Sequence, residues 1–427
     1  MDDLIATPNT MLWNRSVQVR YEADIAVVGG GIAGVCAACA AAESGAKILL
    51  VERFGITGGN ATTGGVASFC GETAGQGQIF DRILSDLEQW QAIAPYVPNT
   101  PHKAARVFDH HVLAFVLQEL LLKHGVKLLL HTRFVDAVVR HGRVEGAILC
   151  GKSGPEAVRA KIFIDCTGEA ELVHAANLET VKGREADHVQ LPMSMMGFVR
   201  EVDAPGRMPD GWFTPIRNRE DLPMVSIWPN GERGKALKIK IPGFDATDTQ
   251  EITAAEIAAR RRMMQVLDYY QQVEGKPWRF DGCAAQIGIR EGRRTVGEYV
   301  LTVDDLRAGR TFSDAIARGT FYLDAHKPDD DKRTYVLDQQ AMMVPPYQIP
   351  FRSLVPRHAV NVLVAGRCFS ADQLALSSAR VTTTCAMLGQ AAGIAAALSL
   401  RNGSDIKTLD YAEIRKSVEA RGGILNL

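Results

Sequence analysis

Three glycines spaced as Gly29-x-Gly31-x-x-Gly34, and one acid at Glu52, are the residues whose types and spacing speak first for chemistry. Gly29 would permit a tight turn, Gly31 would let the backbone approach a pyrophosphate, and Gly34 would let a helix pack closely on a strand. A helix opening there offers unpaired N–H groups and a partial positive charge to phosphate. Glu52 would hold a ribose through its hydroxyls; its carboxylate repels a 2′-phosphate and so disfavours NADP. The spacing alone is a weak signal, and the elements around it must supply the context.

Those elements are legible. Residues 24–28 are apolar and β-branched and stop at Gly29-Gly30-Gly31. Residues 32–44 are rich in alanine and predict a small-residue helix closed by Gly45. Residues 47–52 predict a second strand. Strand, glycine turn, helix and strand make a βαβ unit and hence a parallel sheet. Beyond it the pattern predicts a helix from Asp109 to His124 and a strand over 126–130. Short strands follow over 134–140, 144–149 and 157–160, and a return strand over 162–165. The composition changes after about residue 185. Residues 190–243 carry Met, Pro and β-like runs, and 254–273 predict a long helix. A buried strand over 361–365 and a second small-residue helix over 383–398 follow. The expectation is an α/β chain. A Rossmann-like domain, with a parallel sheet and an antiparallel β-meander, spans 20–185 and 345–427. An extension of 1–19 precedes it, and a mixed α+β substrate domain over 186–344 interrupts it.

Composition narrows the function. Forty-eight Lys and Arg against 49 Asp and Glu leave a formal net charge of -1, which argues against a nucleic-acid partner. The 23% charged residues and 18 Pro are ordinary for a folded chain. The 8 Cys, mostly isolated in apolar segments, fit a reduced cytoplasm better than a disulfide framework. The start, Met1-Asp2-Asp3-Leu4, does not read as a signal peptide, and no apolar run reads as a bilayer span. A cytoplasmic protein without a membrane partner is expected; a homo-oligomer stays open. No metal is expected. Cys36-x-x-Cys39 lies among alanines as packing cysteines, and the adjacent His110 and His111 do not converge on one ion.

After Glu52, where a nicotinamide dehydrogenase would continue with a helix, the chain runs through the glycine-rich loop 53–65. There Arg53, Gly59, Asn60 and Ala61 would lie along an extended cofactor. From this loop onward the sequence resembles FAD-dependent oxidoreductases of the glutathione-reductase-like superfamily, and within it the broad family that bears that name. Ile164-Asp165-Cys166-Thr167-Gly168-Glu169 carries the same resemblance. So do the arginine-rich segment 289–299 and Phe321-Tyr322-Leu323-Asp324-Ala325-His326. The last stretch runs from 347–352 through Ala365-Gly366-Arg367 to Ala379-Arg380-Val381.

The resemblance implies FAD as cofactor. It sets Gly29, Gly31 and Gly34 on the pyrophosphate, Glu52 on the adenosine ribose, and Val135 against the adenine through its backbone. Thr167 and Gly168 would line the cofactor, with Gly366 and Arg367 beside the flavin end. Superfamily relatives carry Gly-Asp at that last position, with the Asp on the ribityl chain. Arg367 stands there instead, and Asp372 is a candidate substitute. The helix from about 383 would aim its N-terminus at the flavin's pyrimidine edge. Arg380 would add positive charge there, or else serve a surface or interdomain ion pair.

The activity this implies is hydride transfer from a CH–OH or CH–NH carbon of a small organic substrate to the flavin. Oxygen or a separate electron acceptor would then reoxidise it. A proton must leave with the hydride, and His326, a residue of near-neutral pKa, is the candidate base. Asp324 would orient it or bind substrate; alternatively both sit in a supporting polar loop. Arg290 and Arg294 would anchor an anionic substrate or the flavin, or form a solvated ion-pair cluster. Cys70 is a candidate for a covalent flavin link or a redox thiol. Rival functions are an NAD(P)H-fed flavin reductase and a non-redox dinucleotide-binding enzyme of the thiazole-forming or RNA-modifying type. A binding subunit of an electron-transfer complex is the third.

Overall fold

The apolar run before Gly29 is the inner half of a longer strand, Gln18–Val28, whose residues Ile25 to Val28 are buried. A computed structural model describes residues 14–97, 105–332 and 335–427. Most of the expected N-terminal extension therefore lies outside the described residues. Its last two residues, Gln18 and Val19, already pair with Glu156 and Ala157 in the sheet.

Ile48–Val51 runs parallel to the first strand on one side and Lys127–Leu129 runs parallel beyond it. On the other side lies Gly154–Asp165. The sequence predicted two strands here, over 157–160 and 162–165; the structure makes them one of 12 residues. Polar Lys161 interrupts the pattern without breaking the strand, because its side chain leaves the sheet toward Asp24, 2.8 Å away. One edge of this strand follows Gln18–Val28 from Glu156 to Asp165. The opposite edge is shared. Its first half pairs antiparallel with Arg143–Gly151, and so with Arg133–Arg140, as the meander. Its last residues pair in parallel with Val362–Val364, brought in from the C-terminal segment. The long strand thus joins sheet, meander and returning chain.

Two small-residue helices cover the sheet, Ile32–Ala42 and Thr382–Asn402. Gly389 and Gly393, four apart, fall on one face of the second helix. A Cβ on Gly389 would lie 2.1 Å from the Ala33 carbonyl oxygen, and one on Gly393 2.3 Å from that of Ala37. The helices touch backbone to backbone, which explains the alanine and glycine in both. Thr382–Asn402 also corrects an expectation. At 21 residues it is long and apolar enough to cross a bilayer, though the sequence reading found no such run. Its most apolar stretch is 89% buried inside the protein, so packing accounts for its composition.

A second core is separate. Val225–Pro229, Gly234–Ile241, Met193–Glu201 and Trp278–Cys283 form a four-stranded antiparallel sheet in that order. The helix Thr249–Gln272 backs it, with the Asp248 carboxylate accepting from the N–H groups of Gln250 and Glu251 as its cap. Met193, Met195 and Met196 are buried in this core, whereas Trp212 is 65% exposed. This core gathers residues from Met193 to Ile289, while Leu301, Leu306, Ile316, Leu323 and Val344 pack into the first.

Candidate functional site

The carboxyl end of the first strand opens onto a cleft. The three motif glycines have separate reasons to be glycine. Gly29 has φ 101°, and a Cβ there would sit 2.4 Å from the Cys166 carbonyl oxygen. A Cβ on Gly34 would sit 1.9 Å from the Gly29 oxygen. One on Gly31 would meet nothing within 4 Å, because it would project into the cleft. Gly31 is the N-cap of the helix Ile32–Ala42 and no side chain caps it, so the first N–H groups remain available for an anion. Gly58 N–H donates to the Gly30 oxygen at 2.7 Å, folding the second glycine loop over the first. Gly59, Asn60 and Ala61 line the cleft from that loop, and Asn60 Nδ2 donates to the Ile289 oxygen at 2.8 Å.

Glu52 is buried at the cleft wall. Its Oε2 accepts from Gly30 N–H at 2.7 Å and its Oε1 from Phe54 N–H at 2.9 Å, leaving one lone pair on each for a ribose hydroxyl. Burial raises its pKa and these N–H groups oppose the rise. Arg53 lines the cleft with its guanidinium 4.9 Å over the Phe54 ring. Thr167 and Gly168 line it opposite, on a turn fixed by the fully buried Asp165. That carboxylate accepts from Thr167 N–H and Oγ1 and from the N–H groups of Leu172 and Val173, at 2.7 to 3.0 Å. Gly366 and Arg367 stand at the far end. Arg367 pairs with Glu169, and its buried Nη1 has no protein partner. A bare backbone cradle at Gly31, open helix N–H groups and an orphaned guanidinium nitrogen fit an extended dinucleotide.

One expected residue is absent from the cleft lining and one falls elsewhere. Val135 is 53% exposed and outside the cleft lining; Thr132, Arg133 and Phe134 line it there. Asp372 does not reach the cleft. It caps the helix Gln373–Ala379, accepting from Ala375 N–H and from Val303 N–H, both at 2.7 Å. The sequence reading missed Glu171, which lines the cleft and whose pKa is pushed up to about 7 by burial and by Glu169 nearby. Its signal, an acid three residues after Gly168, is too common to single out.

Arg380 lies at the boundary between the cleft and the second core. It lines the cleft next to Thr382, at the start of the long helix. Its Nη2 donates to the Asp324 carbonyl at 3.1 Å and to Asp324 Oδ2 at 3.0 Å. Asp324 Oδ1 is 3.0 Å from His326 Nε2. His326 is 1% exposed, and neither ring nitrogen has an aligned hydrogen-bond partner. The expected near-neutral imidazole is not found: burial and the Arg290 charge push its pKa down to about 3. Burial works against the Asp324 anion, yet His326, Arg380 and Arg290 hold its pKa well below the usual carboxylate range.

The solvated reading of the arginine segment is overturned. Arg290 is 8% exposed, Glu291 0% and Arg294 4%. Each nitrogen of Arg294 has a protein partner, in Glu291, the Ala371 oxygen and the Gly183 oxygen, so it braces the fold. Arg290 is different. Its Nη1 donates to the Pro192 oxygen at 2.7 Å, and its charge faces Arg380, Asp324, Tyr335 and Tyr322. Cys70 lies in the ladder with Ala105 and is not part of the cleft lining; burial pushes its thiol up, away from a reactive thiolate. Cys36 and Cys39 are fully buried in the helix packing.

Comparison with known proteins adds to this geometry. The family model described as FAD dependent oxidoreductase matches residues 24–418. A thiamine thiazole synthase of Aeropyrum pernix is 29% identical over 170 residues, covering 37% of this chain and 59% of that protein. A digeranylgeranylglycerophospholipid reductase of Methanoculleus marisnigri is 26% identical over 173 residues, covering 37% of this chain and 42% of its own length. The match thus spans less than two thirds of either relative. Among solved structures, a geranylgeranyl bacteriochlorophyll reductase-like protein from Thermoplasma acidophilum is 15% identical. That alignment covers 94% of this chain and 83% of the other, with a TM-score of 0.48.

Proposed function

The chain belongs to the FAD-dependent oxidoreductase family, and from that premise we propose that it oxidises a small organic substrate at a carbon bearing a hydroxyl or amino group. FAD, when bound, supplies the two-electron acceptor for the hydride. The protein's own residues hold the cofactor, orient the substrate and move the proton.

One observation carries the reading. Arg380 belongs to the cleft wall and to the buried Asp324–His326 pair at once. A substrate beside the flavin end of the cleft would therefore adjoin an imidazole that is neutral at pH 7 and whose Nδ1 has no protein partner. A neutral imidazole is the form that accepts a proton, although a pKa of about 3 makes this ring a weaker base than a free imidazole. Asp324 stands 3.0 Å away to offset the charge the ring would gain, and it fixes the ring's orientation. Arg380 places positive charge where the helix Thr382–Asn402 begins, and the two together favour negative charge at that end of the cleft.

The test is anaerobic bleaching of the FAD-loaded protein by a panel of small alcohols and amines, repeated with His326→Asn. Bleaching that slows in the variant supports the reading. Bleaching by NADH alone, followed by reoxidation by an alkene or another electron-poor acceptor, would replace it with the reductase direction. The similarity to a digeranylgeranylglycerophospholipid reductase favours that second reading.

A further inference from the structure

We propose that Arg290, Lys238 and Arg380 together receive the anionic head of the substrate, so that this oxidoreductase acts on a small organic acid held by its carboxylate. The word substrate rests on the oxidation proposed above; the binding itself does not.

In Gly234–Ile241, Leu237 and Ile239 are fully buried in the second core. Lys238, between them, must project from the opposite face of the sheet. That face looks toward Arg290, Arg380, Asp324 and Cys70, the charged and titratable groups that act on Lys238. Arg290 arrives from the loop after the second core, Asp324 and His326 from the segment before Tyr335, and Arg380 from the end of the helix Gln373–Ala379. Four separate parts of the chain deliver charge to one place.

The charges do not balance. Among the described residues, Asp324 is the one carboxylate within ion-pair distance of any of the three cations, and it contacts Arg380. Arg290 is nearly buried with a backbone oxygen for its hydrogen-bond partner. Uncompensated buried charge is costly and calls for a counter-ion. The repulsion is visible in the protein: burial and the nearby Arg290 push the Lys238 pKa down to about 8, while burial and Arg380 push that of Arg290 to about 10. A carboxylate placed among them would relieve both, and a guanidinium can grip it with two parallel N–H bonds. Unpartnered polar atoms point to a ligand independently of charge. His326 Nδ1 is buried with no partner, its Nε2 facing Asp324, and Arg380 Nε is buried without a partner. Tyr322 and Tyr335, whose hydroxyls lie 3.3 Å apart, complete a polar wall for the rest of a hydroxy or amino acid. Arg290 and Lys238 are not part of the dinucleotide cleft lining, whereas Arg380 is, so the anion would sit one side chain beyond the cofactor.

The experiment is a calorimetric titration of the FAD-loaded protein with acetate, glycolate and benzoate, each matched against its neutral amide. The acids are expected to bind and the amides not. Arg290→Met and Lys238→Met should each weaken acid binding by at least ~10-fold, about 1.4 kcal/mol, with FAD affinity retained. The unmodified protein supplies a test that needs no variant to fold. Lys238 is protonated below its pKa of about 8 and neutral above it, so acid affinity should fall as pH rises through that value. Lys238→Arg, charged throughout, should lose that step. Amides that bind as tightly as acids, acids that do not bind, or an Arg290→Met variant with unchanged acid affinity would each overturn the proposal. Because binding is read without turnover, acids that bind but never bleach the flavin would leave this site standing and sink the oxidation instead.

Discussion

Around Gly31 the wall of the site is peptide backbone: glycine Cα atoms, helix N–H groups and a glycine loop held by the Gly58 to Gly30 hydrogen bond. Around Arg290 the wall is side chains, namely guanidinium, ammonium, carboxylate, imidazole and phenol groups on strands, loops and a helix end. The two regions meet at Arg380 and obey different physics. The first is governed by space and by fixed dipoles, so a methyl group at Gly29 or Gly34 ruins it. The second is governed by unbalanced charge in a low-dielectric setting, so methyl groups matter less and protonation matters more.

Gly34→Val should break the first region most severely. Its Cβ would overlap the Gly29 oxygen, so the helix must leave the strand. We expect a loss of several kcal/mol and no retained FAD, read by thermal unfolding and by absorbance after gel filtration. Gly31→Val sharpens the point. Its Cβ meets open space, so the flavin-free protein should unfold at nearly the same temperature while FAD affinity falls at least ~100-fold, as equilibrium titration would show. Equal damage from both substitutions would mean that Gly31 supports packing and not a ligand.

In the second region, His326→Asn and Asp324→Asn should keep FAD and lower turnover by ~10²–10⁴-fold, measured by rapid-mixing flavin reduction. A smaller and more diagnostic effect is on acid stability. The folded pKa of His326, about 3, lies below its ordinary value of 6.5. The unfolded chain therefore binds more protons in that interval, and stability should fall as pH drops from 6.5 toward 3. His326→Asn should flatten part of that slope in denaturant titrations. A slope unchanged by the substitution would deny the buried neutral imidazole. The smallest expected effect is that of Cys36→Ala with Cys39→Ala. With no redox or metal role for this pair, turnover should not move, and stability should change by about 1 kcal/mol or less.

The βαβ unit was readable because each of its signals is local. An apolar β-branched run, a glycine turn, an alanine helix and a second apolar run each follow from neighbours in sequence. Glu52 and Thr167 were readable for the same reason, as the ends of recognisable strands. The misreadings share an opposite cause. Asp372 looked like a ligand and is a helix cap; Arg294 looked like an anchor and is held by Glu291 and two carbonyls. In both, the decisive partner is remote in sequence or in an unrecognised turn. The 157–165 strand was split because Lys161 looks like an interruption until its solvent-facing position in the sheet is known.

The sequence by itself determined the βαβ unit and its glycine turn, because those depend on glycines and apolar periodicity that any short window displays; FAD followed from the family resemblance. Only the tertiary structure decided what lies beyond the flavin end. Lys238 carries no motif, and its meaning comes from facing Arg290, Arg380 and Asp324, which lie 52 to 142 residues away along the chain. Charge balance is a property of a volume, and a volume is filled by the fold.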